Sequence, residues 1–280
     1  MSCYGPAPAC YREVGGQGVA VVVTLPVLRR RLGVDAAELE GLRAGLVEQR
    51  SFRAVSRRVG RKRRLLVIPS PHYDSIAKAM ARVVTSHSGY VPSPSVFGFV
   101  KGRSTRDNAA RHLGARCVLR LDIADFFGSI HREMVETELA GLGGFDSTSA
   151  SVVAELATPL GSLAVGLSSS PVLSNIVFSS TDVRLDALAT ELGVTYTRYV
   201  DDLSFSGEID DALAGKLVAE IEAAGWVLNP RKTKFMRRGH AQYVTGLSVS
   251  DPRHSHVPRD LKARMRWRLH MIEQVGFDAY

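Results

Sequence analysis

The segment Thr197-Arg198-Tyr199-Val200-Asp201-Asp202-Leu203-Ser204-Phe205 sets two adjacent carboxylates between two apolar, β-prone flanks. Flanks of that kind place the pair at the tip of a hairpin. Tight hairpins favour Asn-Gly or Asp-Gly turns, and two like charges side by side are costly unless a cation or a basic group neutralises them. A second acidic strand is Leu119-Arg120-Leu121-Asp122-Ile123-Ala124-Asp125-Phe126-Phe127, in which Asp122 interrupts an otherwise apolar run. An ionised carboxylate is too costly to bury unpaired. With this strand beside the hairpin, Asp122 and Asp201 meet across neighbouring strands. Converging carboxylate oxygens suit Mg²⁺, which takes few protein carboxylates together with substrate phosphates. Two such ions about 4 Å apart stabilise the attacking and leaving oxygens of phosphoryl transfer. By itself, an Asp-Asp pair is usually a solvated turn.

The charge of the chain bears on that choice. Its 280 residues carry a net charge of +8, and the cations are clustered. Residues 50–64 hold eight basic side chains (Arg50, Arg53, Arg57, Arg58, Arg61, Lys62, Arg63, Arg64) and no acid, and residues 231–238 add five more without one. Clustered cations without local counter-charge meet phosphates, although a solvated basic face has the same composition. Hydrophobic residues make up 45%, enough for a sizeable core. No run approaches the roughly 20 apolar residues of a membrane helix. The N-terminus lacks the cationic start and apolar core of a signal peptide, so cytoplasmic residence is the expectation. Cys3, Cys10 and Cys117 fit no zinc spacing.

The pattern of elements points to one α+β core with appended subdomains. Helical spacing marks residues 27–49, 71–86 (Ile76, Met80, Val83, Val84), 104–113, 131–142, 169–192, 212–224 and 258–272. Ser104 and Asp107 make a capping box, and Pro258 suits a first helical turn. Strands are expected at 62–68, 117–123, 195–200, 203–206 and 242–249. The middle of the chain then follows a βαββαβ order, the split βαβ fold.

Three segments in order carry a family resemblance. Tyr199-Val200-Asp201-Asp202 resembles the YxDD signature of reverse transcriptases. Leu121–Ile130 resembles their first catalytic motif, and Gly166-Leu167-Ser168-Ser169-Ser170-Pro171-Val172-Leu173-Ser174-Asn175 the motif between. Asn108-Ala109-Ala110-Arg111-His112 matches the NAxxH element of retron reverse transcriptases, and Val244-Thr245-Gly246 their VTG element. The resemblance covers roughly residues 50 to 272.

The resemblance implies a right-hand polymerase fold with fingers (27–113), a split-βαβ, ferredoxin-like palm (114–250) and a short helical thumb beginning at 251–280, after an N-terminal extension (1–26). It implies an RNA-directed DNA polymerase using two Mg²⁺ ions, with Mn²⁺ as a substitute. Asp122 and Asp201 would be metal ligands and Asp202 a supporting carboxylate at the same metal site. Phe127 would be the steric gate against ribonucleotides, the alternative being that Phe126 and Phe127 are both core. Arg64, with Lys62, would grip the incoming triphosphate, a task suited to a guanidinium fork. Lys232 would protonate the leaving pyrophosphate, with Lys234 as the alternative. Many relatives carry Gln where this chain has Val165, which leaves the backbone near Gly166 to meet the nucleotide. Asn108, His112, Val244, Thr245, Gly246, Arg264 and Arg268 would face RNA, and Trp267 would stack on a base or cap the core. The implied partners are dNTPs, a structured noncoding RNA, its DNA product and a separate effector protein, in anti-phage defence and without a membrane. Two rival readings are a defence polymerase with protein-primed or untemplated synthesis, and a catalytically silent RNA-binding protein.

Overall fold

The computed structural model describes residues 22–59 and 62–277, the side chains of Val59 and Lys62 excepted. In chain order the elements are α1 (Leu25–Leu32), α2 (Ala36–Val47), β1 (Phe52–Val59), β2 (Lys62–Pro69), α3 (Pro71–His87), α4 (Thr105–Ala110), β3 (Cys117–Asp122), α5 (Arg132–Gly141), α6 (Ser147–Ala157), α7 (Ser170–Glu191), β4 (Thr195–Tyr199), β5 (Asp202–Gly207), α8 (Asp211–Ala223), β6 (Lys234–Arg237), β7 (Tyr243–Val244), β8 (Leu247–Ser248) and α9 (Arg259–Val275). The fold is mixed α+β with antiparallel sheets, as the sequence pattern implied. Two compact units divide it, each from two stretches of chain: residues 1–91 with 125–180, and residues 92–124 with 181–280.

In the first unit, α1 stops where Gly33 turns left-handed (φ 74°), and α2 restarts on the Asp35/Glu38 capping box. Residues 27–49 are therefore two helices and not one run. Ser70 caps α3 and a proline opens its first turn. Its Ile76, Met80, Val83 and Val84 are buried, as their spacing required, each contributing about 1.5–3 kcal/mol by burial. Tyr73, on the same face, donates its hydroxyl to the Leu156 carbonyl of α6. β1 and β2 form an antiparallel ribbon in which Arg57 faces Arg64 and Arg58 faces Arg63.

The second unit is built on a four-stranded antiparallel sheet in the order β4-β5-β3-β6. Numbered within the βαββαβ run, that order is 2-3-1-4, the split βαβ arrangement expected from sequence. Cross-strand partners share a face. One face therefore carries Arg120 and Asp122 of β3, Asp202, Ser204 and Ser206 of β5, and Thr195, Thr197 and Tyr199 of β4. The opposite face is apolar apart from Arg198: Leu119, Leu121, Leu203, Phe205 and Tyr196 are all buried, and the last two rings stack.

Two further segments bear on the expectations. Residues 242–249 are not one strand. β7 and β8 fold back on each other over Thr245 and Gly246, whose φ values are 47° and 81°, and positive φ at both central residues is what a type I′ hairpin turn requires. The last helix, α9, has no buried residue; Leu261, Met265 and Leu269 are exposed, and Trp267, 59% exposed, caps no core.

Candidate active site

Asp122 is the last residue of β3, and its cross-strand partner is Asp202, the first residue of β5. β4 and β5 are joined by two residues, Val200 and Asp201, with Tyr199 paired to Asp202. The expected acidic hairpin tip is therefore present, and β3 lies beside it. The Ile123 amide donates to the Asp201 carbonyl at 2.9 Å, so the backbone at Asp201 is tied to the residue after Asp122. Val200 has φ 63°. A positive φ at the first of two loop residues belongs to type II′ turns, where glycine is usual; on a β-branched residue it is a true outlier.

Each of two carboxylates on the polar face has a basic partner. Asp122 is 2% exposed. Lys232 Nζ lies 2.5 Å from its Oδ2, and the Asn229 amide side chain lies 3.4 Å from Oδ1. This follows from the backbone: Asn229 N donates to the Asp122 carbonyl (2.7 Å), Ala124 N to that of Val227 (2.8 Å), and Lys232 N to that of Asn229 (3.0 Å). The turn through Asn229-Pro230-Arg231 thus brings Lys232 up to Asp122. Lys234, the sequence alternative, instead opens β6 as an exposed residue. Asp202 Oδ1 accepts from Arg120 Nε at 2.6 Å. Burial pushes the Asp202 carboxyl above its ordinary range; Arg120 opposes the rise, and Asp201 and Asp122 add to it.

Among the described residues, no three His, Cys, Asp or Glu side chains form a ready metal cage. Asp202, expected among the ligands, is held by Arg120 and fits the supporting place better. The donor chemistry does fit magnesium, because hard carboxylate oxygens from Asp122 at the end of β3 and Asp201 in the adjoining β4–β5 turn leave the remaining positions to water and substrate phosphate.

The NAxxH and VTG elements come together, in a way that corrects their expected role. Ala109, Val118, Met236, Val244 and Val249 form one apolar cluster. His112 is 1% exposed and bridges two strands, with Nδ1 2.7 Å from Ser206 Oγ and Nε2 2.7 Å from Thr197 Oγ1. Burial, then the nearby Arg111 charge, lowers its pKa to about 3. Asn108 and Val244 are likewise interior. These three side chains are interior and pack on the sheet face that carries Thr197 and Ser206, which leaves them almost no surface to offer RNA. Thr245 donates its hydroxyl to the Thr105 carbonyl at 3.0 Å, which locks the β7–β8 turn onto α4. Only Gly246 of that element is exposed, as are Arg264, paired with Asp260, and Arg268.

The other expected nucleotide-binding residues lie in the first unit. Arg64 is exposed on β2; the Lys62 side chain is outside the described residues. Gly166 has φ 119° and packs so tightly on β2 that a Cβ would lie 2.3 Å from the Val67 carbonyl oxygen. The Val165 carbonyl is already taken by the Val67 amide at 2.9 Å. Of the phenylalanine pair, Phe126 is core, 3% exposed and edge-on to Phe178, whereas Phe127 is half-buried. Arg120 and Asn229 were not anticipated as site residues. Arg120 left a trace, a cation two places before Asp122 in an apolar strand.

No described helix is long and apolar enough to cross a membrane. The reverse transcriptase (RNA-dependent DNA polymerase) family matches residues 57–258. The chain is 36% identical over 230 residues to the retron Mx65 reverse transcriptase of Myxococcus xanthus, covering 74% of this chain and 52% of that protein. It is 32% identical over 183 residues to the retron Ec86 reverse transcriptase of Escherichia coli, covering 64% and 57%. The chain thus spans about half the length of these curated relatives. In fold it resembles apo telomerase from Candida tropicalis truncated from its C-terminal domain, with a TM-score of 0.50 at 13% identity over 71% of this chain and 53% of that one. With its carboxylates on adjacent strands of a split βαβ sheet, the chain belongs to the reverse transcriptase family, has the right-hand polymerase fold and is of the retron type.

Proposed function

We propose that the chain carries the polymerase centre of an RNA-directed DNA polymerase that extends a hydroxyl on a structured noncoding RNA. The observation that carries the reading is the pairing of β3 with the β4–β5 hairpin, which sets Asp122 beside the Asp201 turn and within reach of Lys232. Asp122 and Asp201 would hold divalent cations, Mg²⁺ or in substitution Mn²⁺. Such ions, when bound, neutralise charge on the attacking and leaving oxygens. The chain's own residues do the rest. β3 and β5 fix the carboxylates in a rigid sheet, so that positioning is complete before substrate arrives. Arg120 supplies the counter-charge of Asp202 on the face that also carries Asp122. Lys232 keeps a proton at Nζ beside the reacting phosphates, where it can pass to the leaving pyrophosphate. Arg64 and Lys62 would bind the triphosphate, and Phe127 would press on the sugar 2′ position. In this reading the first unit supplies the fingers, the sheet of the second is the palm, and α9 begins a thumb whose Arg264 and Arg268 face nucleic acid.

The test is incorporation of labelled dNTPs by the purified chain on a primed RNA template with Mg²⁺. Template-dependent extension is expected, and replacing both Asp201 and Asp202 by Ala should abolish it. Extension that ignores the template sequence would favour untemplated synthesis. RNA binding without any incorporation would favour a silent RNA-binding protein. A retron role further predicts that one defined RNA–DNA species copurifies; the defence role and effector follow only from that branch.

A further inference from the structure

Arg198 is the largest fully buried side chain among the described residues. A guanidinium in that position is tolerable only with its donors satisfied. Asp182 on α7 meets it as a fork, with Arg198 Nε donating to Oδ1 at 2.8 Å and Nη2 to Oδ2 at 2.6 Å. The Tyr196 hydroxyl donates to the same Oδ1 at 2.8 Å and fixes the carboxylate from a second direction. The remaining terminal nitrogen, Nη1, donates to the carbonyl of Val200 at 3.1 Å. Val200 is the strained residue immediately before Asp201. Strained backbone persists only where its surroundings over-determine it.

The surroundings here do so. Arg198 N donates to the Ser95 carbonyl and Phe97 N to the Arg198 carbonyl, both at 2.8 Å. That brings Gly98 against the turn, so close that a Cβ would lie 2.5 Å from the Val200 amide nitrogen. On the far side of the turn, Ile123 N holds the Asp201 carbonyl. A buried ion pair adds little net stability compared with apolar residues of the same volume, so stability alone does not account for Arg198 and Asp182. Their arrangement accounts for a fixed backbone at Val200.

We propose that Arg198 is a positioning residue for Asp201: clamped by Asp182 and Tyr196, it grips the Val200 carbonyl and fixes the strained turn that aims the Asp201 carboxylate. The inference rests on the reading that Asp201 holds a catalytic cation. Arg198→Lys tests it. Lysine keeps a positive charge for Asp182, but a single ammonium cannot reproduce a fork and a third bond in a different direction.

The expected result is a folded protein whose kcat falls by roughly ten- to a hundredfold. Its Mg²⁺ requirement for half-maximal incorporation should rise several-fold with the KM for dNTP little changed, and Mn²⁺ binding followed by paramagnetic resonance should weaken in parallel. A folded Arg198→Lys protein with wild-type kcat and wild-type metal dependence would overturn the proposal. If that variant does not fold, Gly98→Ala decides, because it presses on the Val200 amide without touching the ion pair. A raised Mg²⁺ requirement in Gly98→Ala supports the proposal, and an unchanged one overturns it. Asp201→Asn separates the two readings: if it stays active, the metal-site reading itself fails, whereas an inactive Asp201→Asn beside an unaffected Arg198→Lys removes the positioning role alone.

Discussion

Lys232 Nζ sits 2.5 Å from Asp122 Oδ2, and Asp122 is almost fully enclosed while Lys232 is partly open to solvent. The ammonium is therefore the local counter-charge of a carboxylate that also serves the proposed metal site. Lys232→Met leaves that buried carboxylate with one weak amide contact, so the metal-free protein should lose about 1–3 kcal/mol of stability. Added Mg²⁺ supplies the missing charge, and the Mg²⁺-induced rise in Tm should be larger in the variant than in the wild type. Incorporation should fall by about a hundredfold if Lys232 also donates the proton. Thermal melts with Mg²⁺ or EDTA, together with single-turnover rates, check both halves. A variant with wild-type rate and no added response to Mg²⁺ removes Lys232 from the site.

His112 makes a pH prediction with a definite sign. Its folded pKa is lowered to about 3, by burial first and Arg111 second, whereas the unfolded chain protonates near the ordinary value of about 6.5. Between these values the unfolded state holds a proton that the folded state lacks, so stability falls as pH falls through that window. The slope attributable to His112 is about 1.4 kcal/mol per pH unit below pH 6.5. Urea melts at pH 7.5 and pH 5 should show about 2 kcal/mol more loss in the wild type than in His112→Gln. Equal losses in both proteins would mean that the imidazole is hydrated or charged in the fold.

That buried histidine also marks where the sequence stops being informative. Asp122 and Asp201 were legible because a charge inside an apolar strand stands out and calls for a partner. The helices with strong apolar spacing, such as α3 and α7, were legible for a related reason. β1 and β6 were not, because Arg57, Arg58, Lys234 and Arg237 give them the composition of a solvated face. α6 is rich in Ser and Ala and carries little contrast between faces. Thr245-Gly246 lay hidden inside a β-prone run, since the composition does not reveal a positive φ at Thr245. Asn108 and His112 were expected at RNA through the NAxxH resemblance, and only the β4–β5 hydroxyls that receive His112 reveal it as interior. The same holds for Arg198, whose partner Asp182 is 16 residues away on a helix.

Gly166 gives a packing prediction at the start of the motif that runs into α7. Alanine there would place a Cβ 2.3 Å from the Val67 carbonyl oxygen at a φ of 119°. The clash is with backbone, which cannot rotate away, and the conformation is closed to side chains. Gly166→Ala should cost about 2–4 kcal/mol. The measurement is the urea midpoint of the purified variant. A loss below about 0.5 kcal/mol, the scale of a neutral surface change, would show that the loop does not pack on β2.

The β1–β2 ribbon sets Arg57 directly opposite Arg64 and Arg58 opposite Arg63. Like charges in facing positions destabilise a sheet, and no acid lies within the ribbon to relieve them. A phosphate backbone would. Arg57→Ala removes one member of a facing pair, so the free protein should keep its stability or gain a few tenths of a kcal/mol. Binding to RNA should weaken at the same time. Taking one cation away from a phosphate lowers the slope of log K against log salt by about one unit. Fluorescence anisotropy with a labelled RNA duplex between low and moderate salt reads the slope, and thermal melts read the stability. Opposite signs are the informative outcome: a more stable, more weakly binding protein identifies the ribbon as a nucleic-acid surface. A variant with the wild-type slope would instead leave Arg57 as a solvated charge whose repulsion the ribbon simply tolerates.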